Sequence, residues 1–196
     1  WWTDRLRELP PLELPTDSPS RRAADYAGDS VPFVLPAALS QQLRAFSRDA
    51  GATVSSTLLA AFSVLLSRFT GQADVPIGTS VAARTRSELE AVVGLLANVI
   101  VMRVDLSGRP TFREAVARVQ QLGAESFEHQ DVPFDLLVKS LRPERTIGVN
   151  PLFQVLFLFL QEGLDALSVP GLSFRERQLP SVTSKYYLSL HVTDDG

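Results

Sequence analysis

Residues 151 to 161 read PLFQVLFLFLQ, a nearly continuous apolar run bounded by Asn150-Pro151 and by Gly163. A strand with one wet face alternates apolar and polar residues, so an unbroken run of this kind predicts a central strand covered on both faces. Such a strand needs neighbouring strands and a layer on each side, and the rest of the chain must supply them.

The remaining pattern does so. The segment 31–35 (VPFVL) is short and weakly alternating and reads as a strand. Leu39, Leu43, Phe46 and Ala50 recur at helical spacing, with Gly51 where a C-terminal cap belongs. From Leu58 to Phe69 nearly every face is apolar before Gly71, which predicts a helix buried on several sides. DVPIGTSVA predicts a strand at about 75–82. Ser87 and Glu90 form a capping-box pattern for a short helix, and β-branched residues then place a strand at 98–106. Thr111 and Glu114 repeat the capping box, opening a helix whose face is Phe112, Val116, Val119, Leu122 and Phe127 and which ends near His129. LSFRERQ and KYYLSLHVT alternate in period two, Tyr186, Leu188, Leu190 and Val192 sharing one face of the latter. The order of elements predicts an α/β (α+β layered) fold, with helices packed on a mixed β-sheet. The first thirty residues stand apart: ELPPLELPTDSPSRR carries four prolines and reads as a linker lying on a surface.

Composition removes several function classes. The chain has 196 residues, 19 basic and 22 acidic, so no excess of positive charge argues for a nucleic-acid or anionic-membrane partner. Without cysteine there is no thiolate nucleophile, disulfide framework or Cys-based metal site, and two histidines make a poor metal centre; no metal is expected. No apolar run reaches membrane-spanning length and no secretory signal pattern precedes the fold, so a cytoplasmic location is expected. The only methionine is Met102 and the chain begins at Trp1, which suggests a piece of something longer.

EHQDVPFD, residues 128 to 135, holds half of the chain's histidines, and a base at His129 oriented by Asp131 or Asp135 is one reading. The placement of these residues supports a plainer one. Asp131 directly precedes a new helical pattern with Pro133 in its first turn and Phe134, Leu137 and Leu141 following, the position of an N-cap, and Asp135 adds charge suited to a helix start. His129 closes the preceding helix and suits an imidazole bonded to a carbonyl. Ser126 lies one turn earlier, a pairing too common to signify a nucleophile. Local physics thus describes a corner between two helices.

HQDVPF at 129–134 resembles the His-Gln-Asp-x-Pro-Phe signature of the condensation domains of nonribosomal peptide synthetases. VGLLANVIVMR at 93–103 is similar to that family's I-G-x-F-V-N-T-x-x-x-R, keeping Gly94, Asn98 and Arg103, and RTIGVNPL matches R-D-x-S-R-N-P-L at Arg145, Asn150, Pro151 and Leu152. WWTDRL with LELPTDSP resembles the passage from the family's N-terminal to its C-terminal lobe. Departures occur at Leu96, Ala97 and Val99, which keep apolar character, and at Thr146, Gly148 and Val149, which remove charge and hydrogen bonding from a loop.

The resemblance implies a chloramphenicol acetyltransferase-like lobe, with residues 1–30 as inter-lobe linker and 31–196 as the C-terminal lobe. It implies amide-bond formation between substrates on donor and acceptor peptidyl carrier proteins, in a tunnel between two lobes. The family's His-His-x-x-x-Asp-Gly motif is absent from these residues and is expected in the N-terminal lobe, leaving no catalytic residue here and an inactive piece. No cofactor is expected to bind directly; phosphopantetheine arrives on the carriers, and the N-terminal lobe and an adenylation domain are the other implied partners.

Gly94, Asn98, Arg103, His129, Gln130, Asp131, Pro133, Phe134, Arg145, Asn150 and Pro151 are then the candidate tunnel-wall residues. Asn98 has two possible uses, a polar group aimed at substrate or an amide aimed at backbone. Arg103 shares a strand face with Val99 and Val101, and an arginine there implies an ion-pair partner bracing the lobe. Asn150, before a proline, suits extended backbone leading into the central strand. Gly94 serves close packing or a positive φ. Two other functions stay open: a condensation-like platform that recruits partner proteins, and an independent small-molecule enzyme built on His129.

Overall fold

A computed structural model describes residues 1–17, 26–143, 150–161, 172 and 182–194. Its elements are α1 (Trp2–Arg5), α2 (Ala37–Asp49), α3 (Val54–Thr70), β1 (Asp74–Val81), β2 (Asn98–Asp105), α4 (Phe112–Glu128), α5 (Phe134–Leu141), β3 (Val155–Gln161) and β4 (Leu188–Asp194). The apolar run at 151–161 becomes β3, an interior strand of a mixed four-stranded sheet ordered β2-β1-β3-β4. β1 pairs antiparallel with β2 and parallel with β3, which pairs parallel with β4. The layered α/β architecture thus stands as expected.

Each side of the sheet has its own cover. Ile100, Met102 and Val104 of β2 point to one face, where α3 and α4 pack on β1, β2 and each other. Met102 Cε lies 3.8 Å from the position a Cβ on Gly123 of α4 would take, so the helix sits close. On the opposite face Phe153 lies against Gly78, where a Cβ would meet its ring at 2.1 Å. Only glycine admits the ring at that point of β1. Phe153 in turn meets Phe134 of α5 edge-on at 5.9 Å and stacks on Tyr186 at 5.4 Å.

Helix ends follow local chemistry in several places. Thr111 and Glu114 form the reciprocal capping box of α4. Thr53 caps α3 through Ser56 N–H, and Gly71 ends that helix with φ 73°. Gly51 follows α2 with φ 64°.

Other expectations are corrected. Residues 31–35 form no strand: Val31, Phe33 and Val34 are 87%, 65% and 92% exposed and pair with nothing in the sheet. Ser87 caps nothing; a single 3-10 turn spans Ser87–Leu89, flanked by Arg86 and Glu90. α3 is buried on several sides as expected, against α2, α4 and β1, but keeps one open face at Leu65 and Phe69. The first segment is no mere surface connector, for Trp2, Leu6 and Leu12 are 5%, 2% and 3% exposed and belong to the core. Proline density suppresses helix there but does not stop an extended chain from burying one side chain in several. The strand expected in LSFRERQ lies, apart from Leu172, outside the described residues.

No single described helix is long and apolar enough to cross a membrane. The bent pair α2 and α3 passes by composition alone, and Leu59, Ala60, Phe62 and Leu66 of α3 are buried in the core.

Candidate functional site

The corner between α4 and α5 is organised by Asn98, the first residue of β2. Its Nδ2 donates to the carbonyls of Gln130 at 2.9 Å and Val132 at 2.7 Å, and its Oδ1 accepts the backbone N–H of Phe134 at 3.2 Å. One amide thus satisfies three backbone groups that the turn cannot pair internally. Of the two uses open to Asn98, the backbone is the one observed.

This corrects the role expected of Asp131. The residue at the N-cap of α5 is Pro133, with φ −60° and ψ 137°, and no side chain on the corner caps the helix. Pro133 therefore precedes the helix rather than sitting in its first turn. The cap is remote, supplied by Asn98, and Asp131 instead accepts a hydrogen bond from Thr85 Oγ1 at 3.2 Å, tying the corner to the β1–β2 connection. Gln130 Nε2 donates back to Phe127 O at 2.9 Å.

His129 is committed on three sides. Its Nδ1 lies 2.8 Å from Glu125 O, and because a carbonyl only accepts, that nitrogen carries the proton. The ring stacks on Trp1 with centroids 4.5 Å apart and planes 9° from parallel. Its own carbonyl accepts the Trp2 indole N–H at 2.8 Å. The expected helix-closing histidine is what appears. Ser126 Oγ is buried and has no hydrogen-bond partner among the described residues, His129 included, so it forms no dyad with this ring.

Arg103 stands five residues along β2 from Asn98 and forms a second centre. Nε and Nη2 grip the Asp74 carboxylate at 2.7–3.0 Å, while Nη1 donates to the carbonyls of Arg5 at 3.0 Å and Arg7 at 2.9 Å. Hydrogen bonding to Asp74, and then its charge, raises the guanidinium pKa against the opposing effect of burial. The expected ion pair is thus present, and the same side chain pins the end of α1. An open cleft of about 590 Å³ beside it is lined by Arg5, Asp74, Arg103, Asp105 and Arg118 among others. Arg103 grips Asp74 there and Arg118 donates to Asp105 O and Ser107 O, both at 3.0 Å, while Arg5 Nε is buried with no hydrogen-bond partner among the described residues.

Asn150 Oδ1 accepts the N–H groups of Leu152 at 3.0 Å and Phe153 at 3.2 Å, an Asx turn through Pro151 that delivers Phe153 onto Gly78. Gly94 has φ 155° with no heavy atom within 4 Å of its missing Cβ, so conformation rather than packing calls for glycine. The Arg84 guanidinium holds that connection through the carbonyls of Leu89 and Gly94. Arg145 lies outside the described residues. The candidates therefore gather as one corner of Asn98, His129, Gln130, Asp131, Pro133 and Phe134, joined through Phe153 to the Asn150 turn, with Arg103 and Gly94 apart.

Sequence reasoning missed Trp1, Trp2, Thr85 and Gly78 as partners of this corner and its support. A tryptophan pair heading a proline-rich stretch was a usable signal, since tryptophan is highly buried on average. Among the described residues no three His, Asp or Glu side chains converge as a metal site.

Comparison with known proteins agrees with this arrangement. The family model described as "Condensation domain" matches residues 1–196. Chondramide synthase cmdD of Chondromyces crocatus is 40% identical over the whole chain, which spans 5% of that synthase. The X-domain from teicoplanin biosynthesis superposes with a TM-score of 0.85 at 30% identity, over 98% of this chain and 43% of its own. A complex of the X-domain and OxyB from the same biosynthesis gives 0.82 at 29%, over 98% and 42%. The fold is accordingly the chloramphenicol acetyltransferase-like one of these neighbours. The chain belongs to the condensation-domain family of nonribosomal peptide synthetases.

Proposed function

We propose that these residues form the C-terminal lobe of an amide-forming condensation domain, residues 1–30 joining it to an N-terminal lobe that holds the catalytic histidine. The observation that carries this reading is the engagement of His129 Nδ1 by Glu125 O and of its ring face by Trp1, which supports a structural role for this histidine. The chain's match to 43% of the X-domain neighbour is in keeping with one lobe of two.

In the reaction, the acceptor amine attacks the donor thioester carbon, a C–N bond forms, the C–S bond breaks, and the amine loses a proton while the thiol takes one. This requires two tethered substrates held together, a proton acceptor and donors for the developing oxyanion. The present lobe contributes a rigid wall: Asn98 fixes the corner, Phe153 and Phe134 fill behind it, and Arg103 braces the sheet. Donor and acceptor carrier proteins present the substrates on phosphopantetheine arms, with an adenylation domain as neighbour and the cytoplasm as location.

A second reading, a non-catalytic platform that recruits partner proteins, is favoured by one observation: the X-domain neighbour forms a complex with OxyB. The two are separated by giving donor- and acceptor-loaded carriers to this chain and to a form extended through the upstream lobe, reading the acceptor's intact mass. Condensed product from the extended form alone is expected. Product from the 196-residue chain alone contradicts a missing catalyst. Product from neither, under conditions where an active condensation domain works, supports the platform.

A further inference from the structure

α1 is four residues long, far too short to hold itself together. It is nonetheless fixed at both ends. At its start the Trp2 indole is buried and donates to His129 O at 2.8 Å, while Trp1 stacks on the His129 ring. A buried indole N–H needs such a partner, and this corner supplies it. At its end the carbonyls of Arg5 and Arg7 accept from Arg103 Nη1, and Leu6 is buried between the two anchorages. The anchors themselves are rigid, since Arg103 is gripped by Asp74 and the His129 corner by Asn98.

Resting on the two-lobed reading above, we propose that Trp2 is a positioning residue: with Arg103 it welds α1 between the His129 corner and β2. α1 then moves as part of this lobe, and movement between the lobes bends upstream of Trp1 rather than within residues 2–7. The juxtaposition of Trp2 Nε1 and His129 O is the contact that holds the start of α1 to this lobe.

Two readouts test it, and the first needs no activity, so it stands whatever becomes of the functional reading. Hydrogen exchange at the Arg5 and Leu6 amides, which bond Trp1 O and Trp2 O at 2.9 Å, is measured in the 196-residue chain and in Trp2→Phe and Trp1→Ala. Trp2→Phe keeps an aromatic ring in the core and removes the N–H together with the five-membered part of the indole. Exchange at these amides is expected to quicken on the order of tenfold, the effect of one lost hydrogen bond, while amides of β2 and α4 are unchanged. In the two-lobed protein, the distance distribution between spin labels on the two lobes is expected to broaden in Trp2→Phe under conditions where the variant is still folded. Equal exchange in all three chains overturns the proposal, as does an unaltered distance distribution when α1 has been freed.

Discussion

Asn98 Oδ1 accepts the backbone N–H of Phe134 at 3.2 Å across 36 residues of chain, while its Nδ2 holds the two carbonyls on the other side of the same turn. Only a side chain with both a donor and an acceptor serves all three groups. Asn98→Ala is expected to cost about 1–3 kcal/mol by leaving them unpaired, read from chemical denaturation. Asn98→Asp, unable to donate to the two carbonyls, is expected to destabilise at least as much, while faster exchange at the Phe134 amide is expected in Asn98→Ala, which alone loses the acceptor. An unshifted midpoint in Asn98→Asp contradicts the clamp.

Arg103 acts through the planar fork rather than through charge alone. Arg103→Lys keeps the charge but not the simultaneous bonds to Asp74 and to Arg5 O and Arg7 O. Because the pair is partly exposed, a loss of about 1 kcal/mol is expected, little changed by salt. Full recovery of stability by lysine would show that charge suffices.

Gly78 and Phe153 occupy one space. Gly78→Ala places a Cβ 2.1–2.5 Å from three ring atoms of Phe153, and overpacking of this kind costs about 1–3 kcal/mol or more. The double variant Gly78→Ala/Phe153→Leu is expected to be more stable than the sum of the single effects, because the smaller side chain vacates the clash. Simple additivity in thermal unfolding contradicts the contact.

Acid weakens the fold through two carboxylates. Side-chain and backbone hydrogen bonds from Ser107 lower the pKa of Asp105, and those from the Thr111 backbone and hydroxyl lower that of Glu114. A folded pKa below the unfolded one, about 3.9 for Asp and 4.3 for Glu, gives stability that is complete above those values and is lost as pH falls through the folded ones. Unfolding midpoints between pH 7 and pH 3 are expected to fall below about pH 4.3, and to fall less steeply in Asp105→Asn and Glu114→Gln. Identical pH profiles would remove these groups from the account.

What was legible in the sequence was what neighbours along the chain decide. The Thr111–Glu114 box, the glycine after α3 and the continuous apolar run of β3 each act within a turn or a strand, and each appears as read. The misreadings share one cause, a partner far away in sequence. Asp131 looks like a helix cap by every local rule, yet the cap is Asn98; Trp2 and Leu12 look like linker, yet they bury against α5 and near Gln154. VPFVL has strand composition but meets no strand edge to pair with. The family's motifs mark the corner without disclosing that the Asn98 amide is turned onto backbone.

The most direct test is His129→Phe in a form extended through the proposed upstream lobe, timed by product formation from loaded carriers. Phenylalanine keeps the stack on Trp1 and removes both imidazole nitrogens. A wall residue predicts a rate within about tenfold of the parent, whereas loss of a general base costs about 10²–10⁴-fold. A rate reduced to background with α4 and α5 still folded would contradict the account and make His129 the catalyst.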